Sequence, residues 1–245
     1  MHKVHLVACR SRAPARLVRC FAAMRRLLCS ALLAAALPGA CVAAPSPAPS
    51  QAAPAVAPAT TLERATLLVI DVQNFYFPGG KLPLVEPLAA SLKARAVLEA
   101  FRARGWPVIH VLHLAKGQAA PSPDAGDEQY RAHVNVMPKS GELVIGKREA
   151  NAFRDTELLA ALRQLGTTRL VVLGMQTHMC VEAAVRAAAD LGFAVTLVHD
   201  ACATRALHFG DVEASAAQVH AATLAALEGT YAKVQSAAEL LATLP

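Results

Sequence analysis

Three side chains far apart in the 245-residue chain, Asp71, Lys147 and Cys180, have types that could share one reaction. A cysteine sulfur is a nucleophile once it loses its proton, a carboxylate can move that proton, and an ammonium can hold the carboxylate in its charged form. Taken singly each has a plainer reading: Asp71 as a helix cap, Lys147 as a solvated surface charge, Cys180 as a small packing residue. Their positions argue for the shared reading. Each follows a short apolar run with the character of a strand, and in open parallel sheets the site lies at the carboxyl ends of the strands.

The elements that must position Cys180 are the clearest. Leu170-Val171-Val172-Leu173 is β-branched and bounded by Gly174, as expected of a strand buried on both faces. Val181, Ala184, Val185, Ala188 and Leu191 recur at helical spacing, and Gly192 follows as a terminator. Gly174 to Glu182 is therefore a strand-to-helix turn. With Thr177 as N-cap, Cys180 falls in the first helical turn, where the dipole favours a thiolate. His178 is a poor partner for it, since side chains two apart at a helix start diverge. The alternatives for Cys180 are a buried structural thiol, or a bridge to Cys202 that would silence it.

Asp71 ends the apolar run Ala65–Ile70, and a strand at 142–146 delivers Lys147. Between and beyond them one phrase recurs: helix, glycine, strand. A helix at 86–104, with Leu88, Leu92, Ala96 and Phe101 among its apolar positions, leads through Gly105 to a strand at 106–114. Residues 158–165 lead through Gly166 to 169–173, the Cys180 helix leads through Gly192 to 194–198, and 214–228 lead through Gly229 to 231–234. A closing helix is predicted over 236–244. Alternating strands and helices with one-glycine turns predict an α/β fold with a mainly parallel sheet covered on both faces. Residues 115–140, rich in Pro, Gly, Asp and Ser, read as a long loop over one edge.

The net charge of +6 does not point to nucleic acid. Seven of the 24 basic residues precede Thr60, where there is no acid, leaving 17 to face all 18 acids in the rest of the chain. Residues 1–44 read as an export leader, with Met24 as an alternative start: Met24-Arg25-Arg26, an apolar core from Leu27 to Leu37, then small residues from Ala40 to Ala44. Leu37-Pro38-Gly39-Ala40-Cys41 resembles a lipoprotein cleavage site, which would make Cys41 a lipid anchor. Residues 45–61 are an Ala/Pro-rich tether, and 62–245 form the folded domain. The expected location is the periplasm. Only Cys180 and Cys202 fall in the domain, so no disulfide framework is implied.

Asp71-Val72-Gln73-Asn74-Phe75-Tyr76-Phe77, Lys147-Arg148-Glu149-Ala150-Asn151-Ala152-Phe153 and Gly174-Met175-Gln176-Thr177-His178-Met179-Cys180-Val181 resemble, in order and spacing, the signature segments of the isochorismatase-like cysteine hydrolases. Val198 to Thr204 and His220 to Leu227 resemble its later segments, so the likeness runs over roughly residues 64–244. It implies a Rossmann-like three-layer αβα sandwich with a six-stranded sheet of order 3-2-1-4-5-6, a homo-oligomer, and a cis peptide between Met175 and Gln176. It also implies that Asp71, Lys147 and Cys180 are a catalytic triad. Asp71 would take the thiol proton, Cys180 would attack an amide or imide carbonyl, and backbone N–H groups of Cys180 and of Gln176 or Thr177 would hold the oxyanion.

Phe75, Phe77, His113, Tyr130, Phe153 and Gln176 are the candidates for lining a small-molecule pocket, with core packing the alternative for the aromatics. Nicotinamidases of the family bind a metal through an Asp-x-His pair and a second His. Here that segment reads His110-Val111-Leu112-His113 without the Asp, so no metal and no cofactor is predicted. His110 is expected to be packed. Two other readings stay open: vinyl-ether hydrolysis with Asp71 as the acid and the thiol dispensable, and a non-catalytic binding domain tethered to the envelope.

Overall fold

A computed structural model describes residues 65–121 and 127–245; the leader, the tether and Cys41 lie outside the described residues. Strands β1 (Ala65–Ile70), β2 (Val108–His113), β3 (Leu143–Lys147), β4 (Arg169–Met175) and β5 (Ala194–Ala203) are joined through helices α1 (Pro87–Ala103), α2 (Leu158–Gln164) and α3 (Glu182–Asp190). A short hairpin of β6 (Leu207–Phe209) and β7 (Val212–Ala214) precedes α4 (Ala216–Leu227), β8 (Lys233–Gln235) and α5 (Ala237–Thr243). The main sheet has six strands in the order β3-β2-β1-β4-β5-β8, every neighbouring pair parallel. This is the implied order, with β8 in sixth place because the hairpin intervenes.

Residues 65–70 are a continuous apolar run because β1 sits at the middle of the sheet and is covered on both faces. Leu67 and Val69 join Ala94, Val97, Leu98 and Phe101 of α1 and Leu240 of α5 in one core. Leu68 and Ile70 join Leu158 and Leu162 of α2 and Val181, Ala184, Val185 and Ala188 in the other. Each fully buried leucine-sized side chain is worth about 1.5–3 kcal/mol. Helices on both faces make the three layers.

The helical stripes differ in part from those predicted. Leu88 and Leu92 of α1 are 53% and 47% exposed, and Leu191 beyond α3 is also exposed. The buried stripe of α1 runs through Ala90, Ala94, Val97, Leu98 and Phe101. Both stripes have helical spacing, and packing against the sheet chose the one that carries the small Ala90 and Ala94. Helix α4 starts at Ser215, whose side chain accepts from the Gln218 N–H while the Gln218 side chain caps the Ser215 N–H.

Gly174 pairs with Ile70 across β1 and β4, at the point where the register between β4 and β5 shifts. Its φ is +134°, and a Cβ there would collide with the Ile70 carbonyl oxygen. Gly192 also has positive φ but would meet nothing. Gly174→Ala should therefore cost more than about 3 kcal/mol in denaturant unfolding, and Gly192→Ala only about 1–2 kcal/mol. Equal losses would show that the close approach at Gly174 is not what requires glycine.

Candidate active site

Asp71 follows β1 with φ of +50°, donates its N–H to the Val111 carbonyl at 2.9 Å and accepts from the Gln73 N–H at 2.9 Å. A non-glycine residue in this region costs about 1–2 kcal/mol, a strain that recurs at functional sites. Lys147 ends β3, two strands away, and roughly 10 Å of sheet separates β3 from β1. Its long stem reaches past the end of β2. Lys147 Nζ lies 2.6 Å from Asp71 Oδ2, with both side chains fully buried. It also donates to Cys180 Sγ at 3.1 Å and to the Glu149 carbonyl at 3.1 Å, so the ammonium has three partners. Asp71, Lys147 and Cys180 thus converge from the ends of β1, β3 and β4.

Cys180 is not in an ordinary first helical turn. Residues Thr177–Val181 form a π-helical turn between β4 and α3, with Gln176 at its cap, and the preceding Met175–Gln176 peptide is cis. Thr177 is not an N-cap: its hydroxyl meets His220 Nδ1 at 2.9 Å. His178 points away from the sulfur, its Nδ1 meeting Thr204 Oγ1 at 2.5 Å. Cys180 and Cys202 are both free, and no bridge joins them.

The surroundings of the sulfur favour the thiol, against the pull toward thiolate that a helix start alone would exert. Burial and then the Asp71 charge push its pKa up to about 12, outweighing the pull of Lys147. The dipole of one helical turn is a small term beside desolvation of an anion. Burial pulls the Lys147 ammonium down, but Asp71 and Cys180 more than restore it and hold it above its usual range. Asp71 Oδ2 is occupied by the ion pair, while Oδ1 is buried with no hydrogen-bond donor among the described residues. A buried carboxylate oxygen without a donor beside a protonated sulfur can accept that proton.

The pocket candidates divide. His113, half-buried at the end of β2, lies within the fields of Asp71 and Lys147, and burial holds its pKa below the usual imidazole range. Gln73 latches it in place: His113 N–H donates to Gln73 Oε1 at 2.8 Å, while Gln73 Nε2 donates to the carbonyls of His113 at 3.0 Å and of Tyr130 at 2.6 Å. Gln176 is buried, its amide donates to Tyr76 Oη at 3.3 Å, and its Oε1 has no partner among the described residues. Phe75 and Phe77 are core residues, Phe75 packing on Tyr130 and Phe77 stacking on His133 at 3.7 Å. Phe153 packs near Phe193 in the opposite core.

Sequence reasoning missed Tyr76 and Arg205. Tyr76 rather than its two phenylalanine neighbours reaches the site: burial, then the Asp71 charge, push its phenol above the usual range, with Cys180 adding to the effect. Arg205 acts on both Tyr76 and His178, and its buried Nε–H has no acceptor among the described residues. His110 is packed, its Nε2 2.8 Å from Glu142 Oε2, which Arg102 also holds. Among the described residues no group of three His, Cys, Asp or Glu could hold a metal ion.

The family model for the isochorismatase domain matches residues 65–239. The chain is 43% identical over 170 residues to YddQ, an isochorismatase family protein of Bacillus subtilis, covering 69% of this chain and 94% of that one. It is 36% identical over 140 residues to a streptothricin hydrolase of Streptomyces noursei, covering 56% of this chain and 49% of the relative. A crystal structure of an isochorismatase-type hydrolase from Oleispira antarctica superposes with a TM-score of 0.69 at 42% identity, covering 74% of this chain and 98% of that one.

Since the Asp71 charge raises the Cys180 pKa, Asp71→Asn should lower it and increase the thiolate fraction. Alkylation of Cys180 by iodoacetamide, followed by peptide mass spectrometry, should proceed faster in the variant than in the wild type near pH 9. A slower variant would mean that Asp71 does not oppose ionisation of the sulfur.

Proposed function

The chain belongs to the isochorismatase family of hydrolases, and from that premise we propose that it is a cysteine hydrolase cleaving a C–N bond of a small amide, imide or carbamoyl compound through a thioester. One observation carries the reading: a buried ammonium touches both a carboxylate, at 2.6 Å, and a cysteine sulfur, at 3.1 Å. With the thiol pKa near 12 a free thiolate is scarce, so the proton leaves as the S–C bond forms. Asp71 accepts it. Lys147 pairs with the carboxylate beforehand and balances the sulfur's developing charge during attack.

The tetrahedral oxyanion would be held by the N–H of Cys180 and that of Gln176 or Thr177, since the first N–H groups of a helical segment lack intrahelical acceptors. Such donors are typically worth about 3–4 kcal/mol each. Asp71 then passes its proton to the departing nitrogen as the C–N bond breaks, leaving a thioester. Water attacks the thioester, Asp71 takes a proton from it, and the C–S bond breaks with return of that proton to sulfur. The products are an acid and an amine or ammonia.

Arg205, whose buried Nε–H has no acceptor among the described residues, supports a substrate bearing an anionic group such as a carboxylate. A guanidinium with no ion pair among the described residues, close enough to act electrostatically on Tyr76, would recognise a carboxylate through paired N–H donors. His113 and Gln176 would provide the remaining polar contacts. Export through the leader, possession of a lipid anchor at Cys41 and assembly into a homo-oligomer belong to the same proposal and rest on the sequence alone.

Ammonia release from a panel of small amides, with and without a carboxylate, tests the reading. Cys180→Ala should lose at least about 1,000-fold in kcat. Arg205→Gln should raise KM about 10- to 100-fold for the acidic amides and leave neutral ones unchanged. Retained turnover of an enol ether by Cys180→Ala would favour vinyl-ether hydrolysis with Asp71 as acid. No turnover of any compound would favour a binding domain.

A further inference from the structure

The turn that carries the nucleophile is held from outside by two side chains that never meet the triad. In a π-helical turn the hydrogen bonds run from residue i+5 to residue i, as in Val181 N–H to the Gln176 carbonyl at 3.2 Å, and such turns persist when the surroundings favour them. The surroundings here are two braces. From α4, His220 Nδ1 meets the fully buried Thr177 Oγ1 at 2.9 Å. From the residue after β5, Thr204 Oγ1 meets His178 Nδ1, and the Thr204 carbonyl accepts the Val85 N–H at 2.9 Å, tying the brace to the approach to α1.

We propose that His220 is a positioning residue: through Thr177 Oγ1 it fixes the turn whose backbone N–H groups face the reacting carbonyl oxygen, with Thr204 holding the same turn through His178. This rests on the cysteine-hydrolase reading. His220 is suited to the task because α4 is anchored by its capping box and by buried Val219, Thr223 and Leu227. Burial, and then nearby His199, keep the ring below the usual imidazole range, so at neutral pH it is uncharged, with one ring nitrogen free to accept.

His220 touches Thr177 rather than the triad. It lines a cavity of about 430 Å³ with Lys93, His199, Asp200, Cys202 and Thr204, to which none of Asp71, Lys147 and Cys180 contributes. Without His220 the fully buried Thr177 hydroxyl loses its side-chain partner, and the turn is free to shift. A displacement of about 1 Å in a catalytic group can cost on the order of 100-fold in rate.

The test compares His220→Leu, His220→Asn and Thr177→Val with the wild type in the full chain, reading kcat and KM on the best amide of the panel, Cys180 alkylation by iodoacetamide, and the thermal midpoint. His220→Leu should lower kcat about 10- to 100-fold with KM within about 2-fold, and His220→Asn, which keeps a polar group near Nδ1, should restore most of it. Thr177→Val should match His220→Leu, and the double variant should lose little more than either single one. Alkylation of Cys180 should rise about 5-fold in His220→Leu as the turn loosens, and should do so whether or not any amide is turned over. Absence of turnover in the wild type together with this rise would defeat the amidase reading while leaving the brace intact. Unchanged alkylation and kcat in His220→Leu would overturn the proposal, as would losses that follow only the thermal midpoint and are not rescued by asparagine.

Discussion

A carboxylate and an ammonium, both withdrawn from water and 2.6 Å apart, are the constraint on which this molecule depends. Placing either charge alone at that depth would cost several kcal/mol, and even the pair gains little net stability over apolar packing. Its persistence is therefore better explained by chemistry than by folding. A carboxylate must stay charged in a dry pocket to remove a proton from a sulfur whose own pKa the same dryness has raised to about 12. The ammonium answers the carboxylate's charge across that short contact, and its remaining hydrogens reach Cys180 and the Glu149 carbonyl.

The sheet supplies the distances. With β2 between β1 and β3, a short side chain at the end of β3 could not reach Asp71, and a lysine can. With Gly174 in register with Ile70, β4 comes close enough to β1 for Cys180 to face the carboxylate in the preceding strand's wake. Gln73, fully buried two residues after Asp71, ties the end of β2 to Tyr130 and so anchors part of the loop between β2 and β3. Core packing, strand register and one glycine thus act on the same few ångströms.

The fold was legible in the sequence because its signals are local. Four of the five helices, α1 to α4, are followed by a glycine, and most strands are short apolar runs, so local pattern recovers the alternation. Asp71, Lys147 and Cys180 were legible as a set because strand ends could be located within a residue or two. What was not legible depends on contacts between distant residues. The π turn at Thr177–Val181 is braced by residues 26 and 43 positions away in sequence, so a window that ended at Gly192 gave an ordinary capped helix instead. Phe75, Tyr76 and Phe77 are equally aromatic, and only the single 3-10 turn over Asn74–Tyr76 decides that the tyrosine faces Gln176. The β6–β7 hairpin is three residues on each side, too short for an alternating pattern.

The reversal of the expected sulfur state carries the last step. A thiolate fixed by a helix start would react with any electrophile or oxidant that reached it, because reactivity follows thiolate character and access. Here the sulfur is buried, with burial and the Asp71 charge favouring its thiol form, and it lies beside the base that can ionise it. Such an arrangement is unreactive at rest, and proton transfer becomes favourable only when a carbonyl carbon is present to take the electron pair as the proton moves. Selectivity then arises in the nucleophile itself: the pocket need not exclude every reactive molecule if only a carbonyl compound, held against the turn's N–H groups, can draw the proton onto Asp71.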